Sequence, residues 1–114
     1  MNPVSFYKCL ADEIRLKCLL LIAREDELCV CELQAALDES QPKISRHLAQ
    51  LRKCGLLQDT RRGQWVHYSL HPDLPAWSRQ VLQTTLASSD DFMQDAYTKL
   101  SSMGDRPERA AACC

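Results

Sequence analysis

The sequence predicts a mainly α-helical domain with one β-hairpin, in the element order α-α-α-α-β-β-α-α, and three observations support this prediction. Apolar residues recur three and four positions apart up to residue 51 and again from residue 74, which is the helical period. Between these stretches, residues 56–70 (LLQDTRRGQWVHYSL) alternate around a tight turn at Arg62-Gly63, which is typical of a hairpin. A chain of 114 residues is long enough for one core but hardly for two, so we expect one domain over residues 1–104 and a loose tail over 105–114.

Four helices are predicted before the hairpin from their boundary signals. Asn2-Pro3 combines an N-cap residue with proline at the first helical position, and Asp12 is a second N-cap. Gln41-Pro42 begins the fourth helix, which Gly55 ends, since glycine commonly follows a helix. After the hairpin, Ser88-Ser89-Asp90-Asp91 has the pattern of a capping signal, so the last segment forms two helices or one kinked helix. The residues expected to face the core before the hairpin share helical spacing: Leu16, Leu19, Leu20, Ala23, Val30, Leu33, Leu37, Ile44, Leu48 and Leu51.

The composition indicates a soluble protein with reduced thiols. Apolar residues make up 46% and charged residues 25% of the chain, an ordinary balance for a globular domain. No apolar run approaches the roughly 20 residues that span a bilayer, and the N-terminus lacks a signal-peptide pattern, so we expect a cytoplasmic protein without a membrane partner. Seven cysteines are an odd number, which without an export signal favours thiols over structural disulfides. Binding of a soft metal or metalloid therefore becomes the question to answer.

The net charge of −1 conceals a basic central segment. Residues 1–40 carry four Lys or Arg against eight Asp or Glu, whereas residues 41–67 carry six basic residues against one acidic residue. The rest of the chain has a net charge of −2. A basic segment within an acidic chain is the electrostatic pattern of a phosphate-binding surface.

Two short helices joined by a tight turn and followed by a basic hairpin predict a winged helix-turn-helix, which is a DNA-binding architecture. At ~100° per residue, the fourth helix presents Ile44 and Leu48 to the core and its basic residues to the opposite side. In a DNA major groove, Arg and Gln on that side would contact base edges and Lys would contact phosphate. The alternative is a surface helix and hairpin without a nucleic-acid partner. The residues predicted to contact DNA lie on this helix, at its start or at the hairpin tip: Ser40, Gln41, Lys43, Ser45, Arg46, His47 at the edge of the core face, Gln50, Arg61, Arg62 and Gln64.

The stretch ELCVCEL places two cysteines one residue apart at the start of the predicted third helix. On a continuous helix Cys29 and Cys31 would lie ~200° apart, with Cys29 half buried and Cys31 near the solvent side. Core packing therefore accounts for Cys29 but not for Cys31, which favours a ligand role for the pair. We expect Cys9, Cys18 and Cys54 to be packed, unreactive thiols.

These motifs resemble a known family. The stretches SQPKISRHLAQLRKCGLL and RRGQWVHYSL are similar to the signature of the ArsR/SmtB family of bacterial metal-sensing repressors, and LADEIRLKCLLLI is similar to that family's second helix. ELCVCEL resembles the arsenic-responsive branch of the family. The resemblance covers residues 5–75 and implies a homodimeric winged helix-turn-helix repressor rather than an enzyme. Such a repressor joins through its first and last helices, binds double-stranded operator DNA and leaves it when an inducer binds.

The resemblance, together with the thiol-rich composition, implies As(III) or Sb(III) as the inducer and requires no cofactor. Thiolates prefer such soft ions, and the zinc sites on the C-terminal helices of the family need histidines, of which none follows His71. Drawing Cys29 and Cys31 onto one arsenic atom is expected to distort the first turn of the third helix. That distortion would shift the helix that reads DNA.

A third thiolate is missing from the C-x-C motif, because the arsenic repressors that it resembles often carry a cysteine where this chain has Gln34. Cys113 or Cys114, from the same or the partner chain, could supply the third metal ligand, as could solvent or a small thiol. Two alternatives stay open: a separate Cys113-Cys114 site for methylated trivalent arsenicals, and a repressor that senses oxidation of its cysteine pairs. A thiol enzyme such as an arsenate reductase is disfavoured, because no phosphate-cradling loop follows a cysteine.

Overall fold

Six helices and three strands make up residues 1–104, the part of the chain that the computed structural model describes. The elements are α1 (Pro3–Leu10), α2 (Glu13–Glu25), β1 (Leu28–Cys29), α3 (Val30–Leu37), α4 (Gln41–Lys53), β2 (Leu57–Arg62), β3 (Trp65–Leu70), α5 (Ala76–Ala87) and α6 (Asp90–Ser101). The predicted order of helices and hairpin strands is confirmed. The short strand β1 was not predicted, and α5 and α6 are two separate helices rather than one kinked helix.

The capping residues act as their sequence positions predict. The side chain of Asn2 accepts a hydrogen bond from the backbone N–H of Val4 at 2.8 Å, and Asp12 Oδ1 accepts one from Arg15 N at 3.0 Å. Each bond satisfies a donor that the first turn of a helix leaves without an intrahelical partner. Gly55 follows α4 with a φ of +81°, a conformation that glycine adopts without the steric cost of a Cβ atom.

The core forms around α2, which packs against α4, α5 and β3, while α3 packs against α6 and α4. Most of the predicted core residues are fully buried, among them Leu20, Leu33 and Leu48. Removing each such side chain from water contributes about 1.5–3 kcal/mol. Leu16, Val30 and Leu37 are only partly buried and pack against this core. The core therefore holds the third and fourth helices against the rest of the domain as a helix-turn-helix unit.

The sheet is antiparallel with the strand order β1-β3-β2. Arg62 pairs with Trp65 across the hairpin turn, in which Gly63 has a φ of +65°. On the other side of β3, Leu28 pairs with Tyr68 and Cys29 pairs with His67. The hairpin is therefore tied to the residues that immediately precede α3.

Aromatic side chains link α1 to α5. The Phe6 ring is buried, and its centroid lies 5.0 Å from that of Trp77. Beside them Val4 is 62% exposed and Tyr7 is 53% exposed, which leaves a partly apolar surface on α1. Among residues 1–104, none of the helices has the length and apolar character needed to cross a membrane.

Candidate functional site

The two cysteines of the C-x-C motif lie at a strand-to-helix junction. Cys29 is the last residue of β1 and the N-cap of α3, with φ −95° and ψ 169°, and Cys31 lies in the first turn of α3. Because Cys29 is extended, the two Sγ atoms lie 3.3 Å apart. This corrects the prediction that the thiols stand on opposite sides of a continuous helix. It also corrects the predicted distortion, since the sulfur atoms are already adjacent.

A pocket of about 250 Å³ opens beside the two thiols. It joins parts of three elements: the start of α3, the first residue of α4 and the first residues of β3. The residues that line it are Cys29, Val30, Cys31, Gln34, Gln41, Trp65 and Val66. Cys29 is only 3% exposed, whereas Trp65 at the pocket edge is 45% exposed. An ion bound to the thiols would therefore lie next to both the fourth helix and the hairpin.

Among the residues that the structure describes, two sulfur atoms line the pocket, those of Cys29 and Cys31. Gln34 occupies the position on α3 where a third cysteine would face the pocket. Within residues 1–104, no group of three or more His, Cys, Asp or Glu side chains is arranged to hold a metal ion. Cys113 and Cys114, which we predicted as ligands, lie outside the described residues.

Glu32 supports the thiol site from inside the protein. Its side chain is fully buried, and its Oε1 accepts a hydrogen bond from the backbone N–H of Cys29 at 3.0 Å. This is one half of a capping box, in which a residue three positions into the helix bonds back to the N-cap residue. Sequence reasoning missed Glu32, although its spacing from Cys29 was the available signal.

We expect Glu32→Ala to lower the free energy of unfolding by about 1–3 kcal/mol, because it removes a buried acceptor from the Cys29 N–H. Glu32→Gln keeps an acceptor oxygen at the same position and should lose less. Urea denaturation of the two variants and the parent chain measures the difference. Equal stability of the alanine and glutamine variants would contradict this role.

A second link joins the hairpin to the residues before β1. Arg62, next to the hairpin turn, forms an ion pair with Glu27, and the same carboxylate lies 3.5 Å from His67 Nδ1. Glu27 precedes Cys29 by two residues. The thiol site is therefore connected to the hairpin through side chains as well as through the β1–β3 pairing.

Nearly all of the residues predicted to contact DNA lie on the outer side of α4 and at the hairpin tip. Arg46, Gln50 and the hairpin residues Arg61, Arg62 and Gln64 are exposed, as are Ser40 and Gln41, whereas Lys43 and Ser45 are partly exposed. Two contacts order the start of the helix. Gln41 Nε2 donates to Ser45 Oγ at 2.7 Å, and Lys43 Nζ lies 3.3 Å from Glu39.

His47 does not belong to this exposed face. It is 7% exposed, and its Nδ1 lies 3.9 Å from Asp12 Oδ1 at the start of α2. Burial is the main cause that lowers the pKa of His47, although the Asp12 carboxylate opposes the shift. A hydrogen bond from Arg15 N is the main cause that lowers the pKa of Asp12. The predicted DNA contact of His47 is corrected, because this side chain packs inward.

The remaining cysteines of the described chain do not share one environment. Cys18 is fully buried, and burial raises its pKa to about 12, so it stays a neutral thiol as predicted. In contrast, Cys9 on α1 and Cys54 at the end of α4 are placed with their sulfur atoms in bonding contact. The prediction that these two are separate, unreactive thiols is wrong, because the fold brings them together across 45 residues.

Comparison with known proteins agrees with this architecture. The family described as "Bacterial regulatory protein, arsR family" matches residues 12–59. The chain is 50% identical to the arsenic resistance transcriptional regulator ArsR1 of Pseudomonas putida, over 99% of this chain and 88% of that protein. It is 56% identical to the arsenical resistance operon repressor of Escherichia coli K12, over 81% of this chain and 79% of that protein.

Solved structures show the same fold. Reduced HlyU from Vibrio cholerae superposes with a TM-score of 0.67 at 32% identity, over 75% of this chain and 85% of that one. The AntR antimony-specific transcriptional repressor superposes with a TM-score of 0.63 at 28% identity, over 80% of this chain and 79% of that one. These relatives are regulators of transcription and not enzymes. The chain therefore belongs to the ArsR family of bacterial regulatory proteins and is a winged helix-turn-helix transcriptional repressor.

Proposed function

We propose that this repressor binds operator DNA as a homodimer and leaves it when As(III) or Sb(III) binds the thiolates of Cys29 and Cys31. The observation that carries the proposal is the 3.3 Å separation of the two Sγ atoms in a pocket that borders α4 and the hairpin. At a metal–sulfur distance of roughly 2.3 Å, both sulfur atoms reach a single ion. Soft thiolates select thiophilic ions, and the names of the relatives point to arsenic and antimony.

The DNA-binding half of the proposal rests on α4 and the hairpin. The exposed Arg46 and Gln50 can enter a major groove, while Arg61 at the hairpin can reach an adjacent phosphate backbone. A two-fold dimer would read a pseudo-palindrome with half-sites about one helical turn apart. The partly apolar surface of α1, with Val4 and Tyr7, suits a dimer contact. A repressor that binds operator DNA acts in the cytoplasm, where we expect this protein.

Release follows from the position of the thiol site. An ion held by Cys29 and Cys31 acts on β1, which is paired with β3, and it lies beside Gln41 at the first residue of α4. Coordination of the ion shifts these elements from their positions in the ion-free protein. Because binding then favours the conformation that does not bind DNA, the operator must weaken arsenite binding by the same factor.

The third ligand comes from beyond residues 1–104 or from solution in this mechanism. Removing residues 105–114 distinguishes the sources, because arsenite release is weakened if Cys113 or Cys114 supplies the ligand and unchanged if solvent or a small thiol supplies it. We expect Gln34→Cys to place a third thiolate in the pocket and to lower the arsenite concentration for half-release. If truncation weakens release, the same substitution should restore release in the truncated chain. Titration of operator-bound protein by fluorescence anisotropy measures each variant.

Trp65 provides a direct test of the proposed site. In a Trp77→Phe variant Trp65 is the remaining tryptophan, since the chain has two, and it lines the pocket with both thiols. We expect arsenite to change its fluorescence saturably, with one ion per chain. The Trp65→Phe variant, which keeps Trp77 on α5, is the matched control and should show little change. A Trp65 signal that persists after Cys31→Ser would contradict the proposed site.

A further inference from the structure

We propose that Cys9 and Cys54 form a reversible intrachain disulfide, which fastens α1 to the end of α4 under oxidising conditions without closing the DNA-binding face. The two sulfur atoms are placed in bonding contact, and the Cα atoms lie 6.7 Å apart. Disulfides join residues whose Cα atoms are about 4.4–6.8 Å apart. The bond can therefore form without moving the backbone of α1 or α4.

The surroundings of Cys9 hold it against α4. Its side chain is 4% exposed, and its Sγ lies 3.8 Å from the backbone oxygen of Gln50. Arg15 Nε donates a hydrogen bond to the Cys9 carbonyl at 2.7 Å, which fixes the backbone at the end of α1. Cys54 follows the last residue of α4 and is half buried, so a reagent reaches it more easily than it reaches Cys9.

The chemistry requires an oxidant, and in a reducing cytoplasm a disulfide of this kind is transient. With a small-molecule disulfide such as oxidised glutathione, the Cys54 thiolate attacks one sulfur atom, forms a mixed disulfide and releases one glutathione thiolate. The Cys9 thiolate then attacks the Cys54 sulfur atom and releases the second glutathione thiolate. Two protein thiols are oxidised, one glutathione disulfide is reduced, and two protons pass to solvent. Excess dithiol reverses both steps.

The bond lies at the flank of α4 rather than on the face that we assign to DNA. At ~100° per residue, Arg46 and Lys53 lie roughly 80–100° around the helix from Cys54. Closing the bond leaves these basic side chains exposed as they are. Oxidation at this pair is therefore expected to stabilise the repressor while retaining operator binding.

The test uses the full chain with Cys29, Cys31, Cys113 and Cys114 replaced by serine, so that Cys9, Cys18 and Cys54 remain. Trypsin places these three cysteines in separate peptides, residues 9–15, 18–24 and 54–61. After treatment with oxidised glutathione, mass spectrometry should find peptides 9–15 and 54–61 joined, and dithiothreitol should separate them. The melting temperature should rise by about 10–20 °C on oxidation, and operator affinity should stay within about threefold.

Three results would overturn the proposal. A glutathione adduct that persists on Cys54, or a link from Cys54 to Cys18, would show that Cys9 does not resolve the mixed disulfide. Mixing 15N-labelled and unlabelled chains before oxidation identifies a link between two protomers, which would exclude an intrachain bond. A loss of operator affinity above about threefold would exclude a bond that leaves the DNA-binding face in place. Adding Cys54→Ser should abolish both the linked peptide and the thermal shift. Because no arsenical is present, the outcome does not depend on the proposed inducer.

Discussion

Replacing Cys31 by serine is expected to abolish release of the operator by arsenite while leaving operator affinity within about threefold of the parent value. The side chain of Cys31 lies beside the pocket and outside the exposed face of α4, so its loss does not remove a DNA contact. It does remove one of the two sulfur atoms that share the site. Changes in the outer shell of metal sites already cost about 10–100-fold in affinity. Loss of a sulfur ligand should therefore raise the arsenite concentration for half-release by at least about 100-fold.

Cys18→Ala is the matched control for thiol removal. Cys18 is fully buried, so an ion from solution does not reach its sulfur atom. Its replacement should leave arsenite release unchanged in a titration of operator-bound protein. Normal release by the Cys31→Ser variant would refute the assignment of the inducer site, whatever the source of the third ligand.

The sequence was sufficient to predict the helices and the hairpin because their signals are local. The N-caps Asn2 and Asp12 and the terminating Gly55 act within four residues of their positions, and the leucine spacing reports the helical period directly. The strand β1 has no such signal. A strand of two residues is too short to show an alternating pattern. Leu28 and Cys29 form a strand only because they pair with residues almost 40 positions later.

This missing strand explains the error at the thiol site. The predicted separation of the thiols assumed that Cys29 and Cys31 were both helical, with ~100° per residue. Pairing with His67 extends the backbone at Cys29, and the helix begins one residue later. The sequence therefore identified Cys29 and Cys31 as a pair, but the geometry of the pair depends on a contact from the hairpin. The role of Trp65 in the pocket was hidden for the same reason.

Long-range packing also decided the roles of Cys9, Cys54 and His47. Helical periodicity places His47 at the edge of the core face, and the neighbouring α1–α2 corner then covers it, with Asp12 3.9 Å away. The same corner brings Cys9 onto Cys54. Helical periodicity identifies the apolar face of a helix. It does not identify the distant segment that packs against residues at the edge of that face.

Replacing Arg46 by alanine is expected to weaken operator binding by about 10–100-fold. Arg46 is exposed on the outer side of α4, and an arginine that contacts a base edge in the major groove contributes about 1–3 kcal/mol of discrimination. The loss should therefore be large on the operator and small on unrelated DNA. Competition titrations at fixed salt concentration with both DNAs measure the two losses separately.

Two matched variants distinguish base recognition from general charge. Lys53→Ala removes a charge from the end of the same helix. If Lys53 contacts phosphate, its loss should weaken binding to both DNAs alike and reduce the slope of log affinity against log salt concentration by about one. Arg24→Ala removes a charge from α2, where the guanidinium lies 3.9 Å from the centroid of the Tyr97 ring, and should leave DNA affinity unchanged. If Arg46→Ala behaved like Arg24→Ala, the outer side of α4 would not be the surface that reads the operator. If it behaved like Lys53→Ala, Arg46 would position the helix on phosphate, and sequence recognition would have to come from neighbours such as Gln50.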